Sequence, residues 1–446
     1  MSGIFPDHAY GPEPIKTCYW AETVPDWRFD CPPLQGDALA DVAVIGGGFT
    51  GLSAALHLAR AGVDTLLLES QFPGFGATGR NGGFCCLGGI NLDDEGLARA
   101  VGEAGRREWR VVEKRAVELV ADILRQENID ADTHSKGETK LAHSPKAMRG
   151  LEHHAAHIQA DYGVAPVLHD TAELTALGMA GPFHGGLTLP IGFALNPRKY
   201  ALGLMQAAQG QGARVHGYSP VVSVTQEQSL FRLKTPLGHV LARRVIFAMN
   251  GYAPDHLSPW IGGRFLPAQS SVLVTRPLTP QEQADAGWTS AQMAYDTRNL
   301  LHYFRLMPDG RMLFGRRGGV NSSPTADAKV MQDTRAHFDA MFPALSHVET
   351  PHGWHGFVAL NRSGLPYVGP VPDMPDAFAG FGYHGNGVAM GSYAGALLAD
   401  LARGAVPQHT YPAAMQQPPP RFPLGRHRRA LLPLGYIQLG LADYFG

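Results

Sequence analysis

Apolar residues are concentrated in two short segments near the start of the chain, 41–45 and 63–68, which contain the apolar runs 42–45 and 66–68. A glycine-rich turn follows the first run, and small and apolar residues at helical spacing separate it from the second. Short, continuous apolar runs bounded by turn residues are typical of strands buried in a parallel sheet. The order of strand, turn, helix and strand therefore predicts a βαβ unit.

Later parts of the chain predict both helices and strands. Charged and apolar positions alternate with helical spacing over 93–126, which predicts two helices, and further helices are predicted at 146–162 and from Pro197 onward. A hairpin is predicted from strands 301–306 and 311–315, which flank a Pro-Asp-Gly turn. The other predicted strands are 139–142, 186–189, 213–215, 220–224 and 243–251.

The turn after the first strand carries glycine at three spaced positions, Gly46, Gly48 and Gly51. Gly46 suits a tight turn, Gly48 lets the backbone approach a pyrophosphate, and Gly51 lets the helix pack closely on the strand. Unpaired N–H groups at the start of the helix then face the phosphates. Glu69 ends the second strand about twenty residues further on, where a carboxylate can accept both ribose hydroxyls. The pattern predicts a dinucleotide site with an unphosphorylated ribose.

Two more glycine-rich segments favour FAD over NAD as the dinucleotide. Residues 74–84 form a loop whose amides and polar groups suit a second contact along an extended cofactor, with Arg80 near a phosphate or the flavin edge. Residues 380–390 lead into a helix of small residues. In a flavoprotein, the start of that helix at Gly387 and Val388 would face the side of the ring where negative charge accumulates on reduction.

Short motifs spread along nearly the whole chain carry a resemblance to a known family. They are Cys18-Tyr19-Trp20, a Gly-Arg-Asn-Gly-Gly run at 79–83, segments 303–311 and 313–315, Trp354-His355-Gly356, and segments 365–369 and 380–387. Together with the glycine pattern they identify the chain as similar to the D-amino-acid oxidase-like superfamily of FAD-dependent oxidoreductases. It most resembles the gamma-glutamylputrescine oxidase branch of that superfamily.

The resemblance implies an α/β fold, in which a Rossmann-like FAD-binding domain is joined to a second, sheet-containing α+β substrate domain. A chain of 446 residues is also longer than a single core usually reaches. The predicted boundaries are 39–135, 196–261 and 349–405 for the discontinuous FAD-binding domain, 136–195 and 262–348 for the substrate domain, and 406–446 for a C-terminal extension.

The predicted FAD-binding residues come mainly from the glycine-rich segments. The resemblance adds a backbone contact of Val222 with adenine, and the strand that ends at Asn250 and Gly251 is expected to meet the flavin. The full predicted set is Gly46, Gly48, Phe49, Thr50, Gly51, Glu69, Ser70, Gly76, Ala77, Thr78, Arg80, Asn81, Gly82, Gly83, Val222, Asn250, Gly251, Gly385, Asn386, Gly387 and Val388.

Flavin is expected to be held without a covalent bond. Some relatives tether it through a cysteine or histidine, but this chain has no cysteine near 354–366 and no histidine near 70–77. Cys85 and Cys86 are the rival attachment points, because they follow the Arg80 loop.

Departures from the family pattern bear on the substrate. Relatives that oxidise sarcosine place lysine where Ala389 stands and commonly aspartate where Ser363 stands, so a carboxylate clamp of their type is not expected. His384 lies two positions from where relatives have their histidine. Substrate contacts are expected from Tyr303 and Arg305 on the hairpin, with His384 close to the ring. A core tyrosine and a surface arginine are the alternatives.

The predicted reaction is oxidation of a C–N bond in a primary or secondary amine, in which a hydride passes from carbon to flavin N5 and the imine is then hydrolysed. Molecular oxygen is the expected acceptor, with release of hydrogen peroxide. The alternatives are a dehydrogenase of an amine or amino acid that passes electrons to a carrier, an oxidase acting on an alcohol carbon, and a flavin-bearing subunit whose own site is idle. The favoured substrate is an extended amine, such as a γ-glutamyl-linked one, whose distant carboxylate binds Arg305.

Composition and charge bear on partners and compartment. The formal net charge of −2 gives no long-range attraction for nucleic acid. The 4 cysteines lack metal-binding or disulfide spacing, which suits a reducing compartment. Neither a signal peptide nor an apolar run of membrane-spanning length is evident, so a cytoplasmic protein is expected.

Two further segments invite other interpretations. His153 and His157 share a helix face, but no cysteine or carboxylate completes a familiar ligand set, so no metal site is predicted. The C-terminal extension is basic at 421–429 and apolar at 430–439, which would suit a membrane surface. Packing against the chain's own cofactor domain or a second subunit is favoured, and Pro433 interrupts an ideal amphipathic helix there.

Overall fold

The computed structural model describes residues 3–445. The strands, in chain order, are β1 (Ala38–Ile45), β2 (Thr65–Leu68), β3 (Phe84–Cys85), β4 (Glu138–Leu141), β5 (Val167–His169), β6 (Gly186–Leu189), β7 (Phe193–Ala194), β8 (Arg214–His216), β9 (Ser223–Glu227), β10 (Leu230–Thr235), β11 (Gly238–Phe247), β12 (Phe265–Pro277), β13 (Met293–Asp296), β14 (His302–Leu306), β15 (Arg311–Arg317), β16 (His352–Asn361), β17 (Tyr367–Pro370) and β18 (Ala377–Phe381). The helices are α1 (Tyr19–Thr23), α2 (Phe49–Arg60), α3 (Asp94–Gln126), α4 (Pro145–Tyr162), α5 (Thr171–Ala176), α6 (Pro197–Gly210), α7 (Pro280–Asp285), α8 (Pro324–Met341), α9 (Ala389–Ala402), α10 (Ala413–Gln416) and α11 (Leu432–Phe445).

A first sheet is built around the predicted βαβ unit. Its strands lie in the order β17-β18-β11-β1-β2-β8, and β10 and β9 extend it beside β11. The run from β18 to β8 is parallel throughout. Val42 and Val44 of β1 pack into the core that contains α2, α6 and α9, whereas Ala43 and Ile45 pack into a core on the opposite face. Burial on both faces explains why this strand is apolar without alternation.

A second sheet has the order β16-β12-β15-β14-β13-β4-β6-β5 and is antiparallel except for the pair β13–β4. The predicted hairpin is present as β14 and β15, with Tyr303 opposite Gly315. Strand β16 pairs with β12 from Phe265–Asn361 to Val274–His352. It therefore belongs to the second sheet, whereas the predicted boundary at residue 349 had placed it with the cofactor domain.

These two sheets confirm the predicted fold class of a Rossmann-like α/β part with a second, sheet-containing part. The two helices predicted over 93–126 are the two segments of α3, which is interrupted at Gly102, where the backbone has φ 76° and ψ 165°. Asn196 accepts hydrogen bonds from the N–H groups of Arg198 and Lys199 and so caps α6, directly before Pro197.

The C-terminal extension packs against the rest of the chain. Arg428 is buried and forms two hydrogen bonds of 2.7 Å with the carboxylate of Asp255. Near the end of α11, Asp443 accepts hydrogen bonds from the backbone N–H groups of Asn299 (2.6 Å) and Leu300 (2.9 Å). Helix α11 is therefore fixed beside the loop between β13 and β14. Within residues 3–445, no helix has the length and apolar character needed to cross a membrane.

Candidate active site

A cavity of about 1020 Å³ is lined by both sheets, a volume at the upper end of the range for ligand pockets. Residues that follow the carboxyl ends of β1, β2 and β11 line one part, which we call the dinucleotide end. Ligands of parallel α/β sheets bind at this edge. The other part, which we call the sheet end, is lined by residues of the second sheet and by the loop before α9.

At the dinucleotide end, a side chain at each of the three spaced glycines would meet a different neighbouring atom. Gly46 has a φ of +107°, and a Cβ added there would lie 2.9 Å from the carbonyl oxygen of Ala248. A Cβ on Gly48 would lie 3.0 Å from Oγ1 of Thr78. A Cβ on Gly51 would overlap the carbonyl oxygen of Gly46, so only glycine lets α2 start this close to β1.

Glu69 lies at the cavity wall at the end of β2 and is held by its own loop. Its Oε2 accepts a hydrogen bond from the Gly47 N–H (2.7 Å), and its Oε1 accepts from the Gln71 N–H (3.0 Å) and the Ser70 hydroxyl (2.9 Å). These bonds fix the carboxylate where an acceptor for ribose hydroxyls was predicted.

Arg80 brings a buried positive charge to the cavity wall. Its Nε donates to the Phe75 carbonyl (2.8 Å), and its guanidinium lies over the rings of Phe75 and Tyr252. Its Nη2 is buried and has no hydrogen-bond partner among the described residues. Burial lowers the pKa of Arg80, as expected for a cation without a carboxylate partner. An anionic or carbonyl group in the cavity would satisfy this atom.

The side chains of Asn81 and Thr78 form hydrogen bonds that stabilise the conformation of the loop at 74–84. The Asn81 amide donates to the carbonyls of Ala77 (3.2 Å) and Thr78 (2.7 Å) and accepts from the Gly83 N–H (2.8 Å). Thr78 Oγ1 accepts from the Phe49 N–H (3.0 Å) and so joins the loop to the start of α2. Both residues line the cavity, but the side chain of Asn81 is already engaged within the loop.

The loop before α9 reaches the sheet end of the cavity. The φ of His384 is 51°, in the left-handed region that non-glycine residues seldom adopt. The side chain of Asn386 donates to the Leu87 carbonyl and accepts from the Cys86 thiol (3.3 Å). A Cβ on Gly387 would meet no atom within 4 Å, so the cavity is open at this point. Val388 directly precedes α9.

The imidazole of His384 is buried and unpartnered. Neither ring nitrogen has a hydrogen-bond partner in the part of the chain that the structure describes. Burial and the positive charge of Arg317 lower its pKa to about 3, while the nearby backbone of Leu365 opposes this effect. His384 is therefore neutral at physiological pH, with one ring nitrogen able to accept and the other to donate.

Tyr303 lines the sheet end as predicted, but Arg305 does not. The Tyr303 hydroxyl lies 3.2 Å from Ser270 Oγ. Arg305 is 1 % exposed, bonds to His134 Nε2 (2.9 Å) and the Leu195 carbonyl (2.9 Å), and lies outside the described cavity wall. A Cβ on Gly83, which also lies away from the cavity wall, would be 2.6 Å from Arg305 Nη2.

Arg317, which sequence reasoning did not select, lies at the sheet end of the cavity. It is the last residue of β15, and its Nη2 donates to the His384 carbonyl (2.7 Å). No ion pair involves it among residues 3–445. Burial lowers the pKa of Arg317, while the nearby hydroxyls of Tyr436 and Tyr303 oppose that effect.

Most of the predicted cofactor residues line this one cavity, in addition to His384 and Tyr303 of the predicted catalytic set. Those at the wall are Gly46, Gly48, Phe49, Thr50, Glu69, Ser70, Gly76, Ala77, Thr78, Arg80, Asn81, Gly82, Asn250, Gly385, Asn386, Gly387 and Val388. Those away from it, in the described chain, are Gly51, Gly83, Val222 and Gly251. The N–H of Val222 donates to Lys234, and the cavity wall near it is formed by Pro220 and Val221.

The cysteines and histidines offer few reactive or metal-binding groups. Cys85 and Cys86 are free thiols, and burial raises the pKa of both. Only Cys86 of the two lies at the described cavity wall. A search of residues 3–445 finds no cluster of three histidine, cysteine, aspartate or glutamate side chains that would hold a metal ion.

Comparisons with known proteins give a consistent assignment. A family model described as FAD dependent oxidoreductase (DAO) matches residues 41–401. The chain is 30% identical over 396 residues to the probable oxidoreductase OrdL of Haemophilus influenzae, covering 88% of this chain and 89% of that protein. It is 30% identical over 414 residues to gamma-glutamylputrescine oxidoreductase of Escherichia coli, covering 93% and 95%.

A solved structure supports the same fold. Glycine oxidase from Geobacillus kaustophilus superposes with a TM-score of 0.69 at 19% identity, covering 85% of this chain and 99% of that one.

Proposed function

The chain belongs to the DAO family of FAD-dependent oxidoreductases, and we propose that it oxidises a C–N bond of an extended primary or secondary amine. The observation that carries this proposal is the arrangement of His384, Tyr303 and Arg317 at the sheet end of a cavity whose other end carries the dinucleotide-binding pattern. Amine-dependent bleaching of the bound flavin tests it.

The cavity residues fit FAD at several separate points. Gly48 and the first turn of α2 after Phe49 offer backbone N–H groups to a pyrophosphate, and Glu69 offers its carboxylate to the adenosine ribose. The unpartnered Nη2 of Arg80 suits a phosphate or carbonyl oxygen of the cofactor. When bound, FAD supplies the chemistry by accepting a hydride from the substrate carbon.

At the sheet end, the protein provides a neutral imidazole, a phenol and a fixed positive charge. A cation near the reacting amine disfavours the ammonium form, because like charges repel in a poorly solvated site. Arg317 therefore favours binding of the neutral amine, whose nitrogen lone pair is needed for oxidation. His384 and Tyr303 can each hydrogen-bond that amine and so orient its carbon.

An extended amine is supported by sequence and by a relative. Ala389 stands where sarcosine-oxidising relatives have lysine, and it lies buried in the first turn of α9. A relative with 30% identity over most of the chain is named for γ-glutamylputrescine. Molecular oxygen is the proposed acceptor, and hydrogen peroxide the proposed second product; an electron carrier is the alternative.

A second candidate function is oxidation of an α-amino acid, and one observation favours it. Arg317 has no carboxylate partner in residues 3–445, and an arginine at the reacting end can hold an α-carboxylate in a bidentate manner. Simple amino acids would then reduce the flavin as fast as extended amines.

We expect that FAD is not covalently attached and is released unchanged when the protein is denatured. The purified protein should be yellow and, after acid precipitation, release FAD into the supernatant from a colourless pellet. Burial raises the pKa of Cys86, the thiol at the cavity wall, so little nucleophilic thiolate forms there. A yellow pellet, a cysteine peptide carrying the mass of flavin, or release of FMN would contradict this expectation.

Replacing His384 with Asn is expected to slow flavin reduction while leaving the bound flavin in place. Loss of one general acid–base or hydrogen-bonding group typically costs about 10²-fold or more in rate. Because the pKa of His384 is about 3, the rate of the parent protein should show no histidine inflection between pH 5 and pH 8. Stopped-flow reduction across that range measures both, and an unaltered rate in the variant would make His384 a structural residue.

A further inference from the structure

Lys140 is a cation at the cavity wall that the proposed chemistry does not use. It lies on β4, three strands away from β15 of Arg317 in the second sheet, and its side chain is half-buried. No ion pair within 4.0 Å involves it in the part of the chain that is described. Burial lowers the pKa of Lys140, and the nearby Glu138 opposes this effect without reversing it.

The nearest acid does not neutralise it. Glu138 lies two residues earlier on the same face of β4, is 1 % exposed, and has an Oε2 atom without a hydrogen-bond partner in the described chain. Burial raises the pKa of Glu138 to about 8, although Cys86, Lys140 and the Tyr295 hydroxyl oppose this effect, so its carboxyl is largely protonated at neutral pH. The neighbouring His154 is neutral under the same conditions, because burial and Lys140 lower its pKa.

The register of the sheet relates Lys140 to the reacting end. Lys140 pairs with Tyr295 of β13, and Tyr295 pairs with Tyr303 of β14, so the three residues form one row across adjacent strands. All three line the cavity. Strands lie about 4.8 Å apart, which places Lys140 about 10 Å from Tyr303 along the row. This distance corresponds to roughly eight bonds of an extended chain.

We infer that Lys140 forms a distal anion subsite that binds a carboxylate at the far end of an extended amine substrate. A carboxylate there supplies the close ion-pair partner that Lys140 lacks. The inference rests on the proposed function, because it assigns the other end of the same substrate. It transfers to Lys140 the role that the sequence had suggested for Arg305.

Binding of an unreactive probe tests the subsite without turnover. N-Butylglutaramate carries the distal carboxylate without a terminal amine, and N-butylbutanamide differs from it only by lacking that carboxylate. Calorimetric titration of the FAD-loaded protein should give tighter binding of the first probe. In Lys140→Met, its Kd should rise at least 30-fold, whereas Lys140→Arg should stay within about threefold, since arginine also pairs with carboxylate.

Arg298 provides the matched control at the same end of the cavity. Its Nη1 already pairs with Asp296 (2.5 Å), so Arg298→Met should leave the Kd of the carboxylate probe within threefold. An unchanged flavin spectrum verifies that each variant is folded. Equal Kd values for the probe in Lys140→Met and in the parent, or equal affinity of the parent for both probes, would overturn the subsite.

The two proposals fail separately. If no amine bleaches the flavin but binding of the carboxylate probe still depends on Lys140, the proposed function is wrong and the subsite stands. If extended amines bleach the flavin with the same KM in Lys140→Met as in the parent, the proposed function stands and the subsite is wrong.

Discussion

In Arg317→Met, an extended amine is expected to reduce the bound flavin about 100-fold more slowly than in the parent protein. The dependence of this reduction rate on pH should also shift. Displacing a positioned substrate by about 1 Å commonly costs this much in rate. The cation also lowers the pKa of the bound amine, so its removal should raise that pKa by about one unit. The rate rises as the bound amine loses its proton. The rising limb of the limiting rate should therefore shift about one unit to higher pH in the variant.

Two other arginines separate this effect from general damage. Arg316 precedes Arg317 on β15, and its side chain points to the other side of the strand, so Arg316→Met should leave the pH profile unchanged. Arg305→Met removes the bonds to His134 and the Leu195 carbonyl, so it should lower the thermal midpoint without moving the profile. Stopped-flow reduction from pH 6 to pH 10 provides the comparison. A profile that moves in Arg305→Met but not in Arg317→Met would return the role to Arg305.

Glu69→Ala is expected to raise the Kd for FAD about 100-fold and to yield protein that has largely lost its colour. Two hydrogen bonds to a carboxylate contribute about 3 kcal/mol together, which corresponds to this factor. The loss should be specific to the adenosine ribose, so the weaker affinity for FMN should change by less than threefold. Titration of the flavin-free protein, followed by quenching of flavin fluorescence, gives both constants.

Asp64 is the matched acid for this test. It lies just before β2, pairs with Arg214 on the surface, and is remote from the carboxyl end of the strand. Asp64→Ala should keep the Kd for FAD within a factor of two. If Asp64→Ala and Glu69→Ala raise the Kd for FAD equally, the loss of affinity reflects damage to the strand rather than a lost ribose contact.

The dinucleotide end was predictable from sequence because most of its constraints are local. Gly46 needs a positive φ in the turn itself, Gly51 must avoid the carbonyl of Gly46, and Glu69 follows at the end of the next strand. Gly48 is limited by the more distant Thr78 side chain. The continuous apolar pattern of β1 indicated a strand buried on both faces, and its residues do pack into two different cores. Fold class and family follow from these features.

The sheet end was less predictable, because its residues meet through pairing between distant strands. Tyr303 lies at the cavity wall, and Arg305 and Arg317 lie in opposite directions from it along the hairpin. Tyr303 faces Gly315, so alternation places Arg317 on the same face, nearer the loop of His384. The register of the hairpin could be predicted from the sequence, but the sequence did not show toward which end of the hairpin the cavity lies.

Lys140 could not be selected in that way. It reaches the cavity only because β4 joins β13 in a parallel pair, a contact between residues more than 150 positions apart. Helix α11 likewise contributes Tyr436 and Leu439 to the wall although the sequence indicated only a basic and then apolar extension. Such residues carry no local signature, since their position depends on the complete topology.

The central claim is tested most directly by anaerobic mixing of the FAD-loaded protein with a panel of amines while the flavin absorbance is followed. γ-Glutamylputrescine and related extended amines should bleach the flavin within the dead time or the first seconds. Glycine, sarcosine and D-alanine should do so slowly or not at all, and admission of oxygen should restore the colour with release of hydrogen peroxide. Bleaching that is fastest with the simple amino acids, or absent with every amine in the panel, would contradict the proposed function.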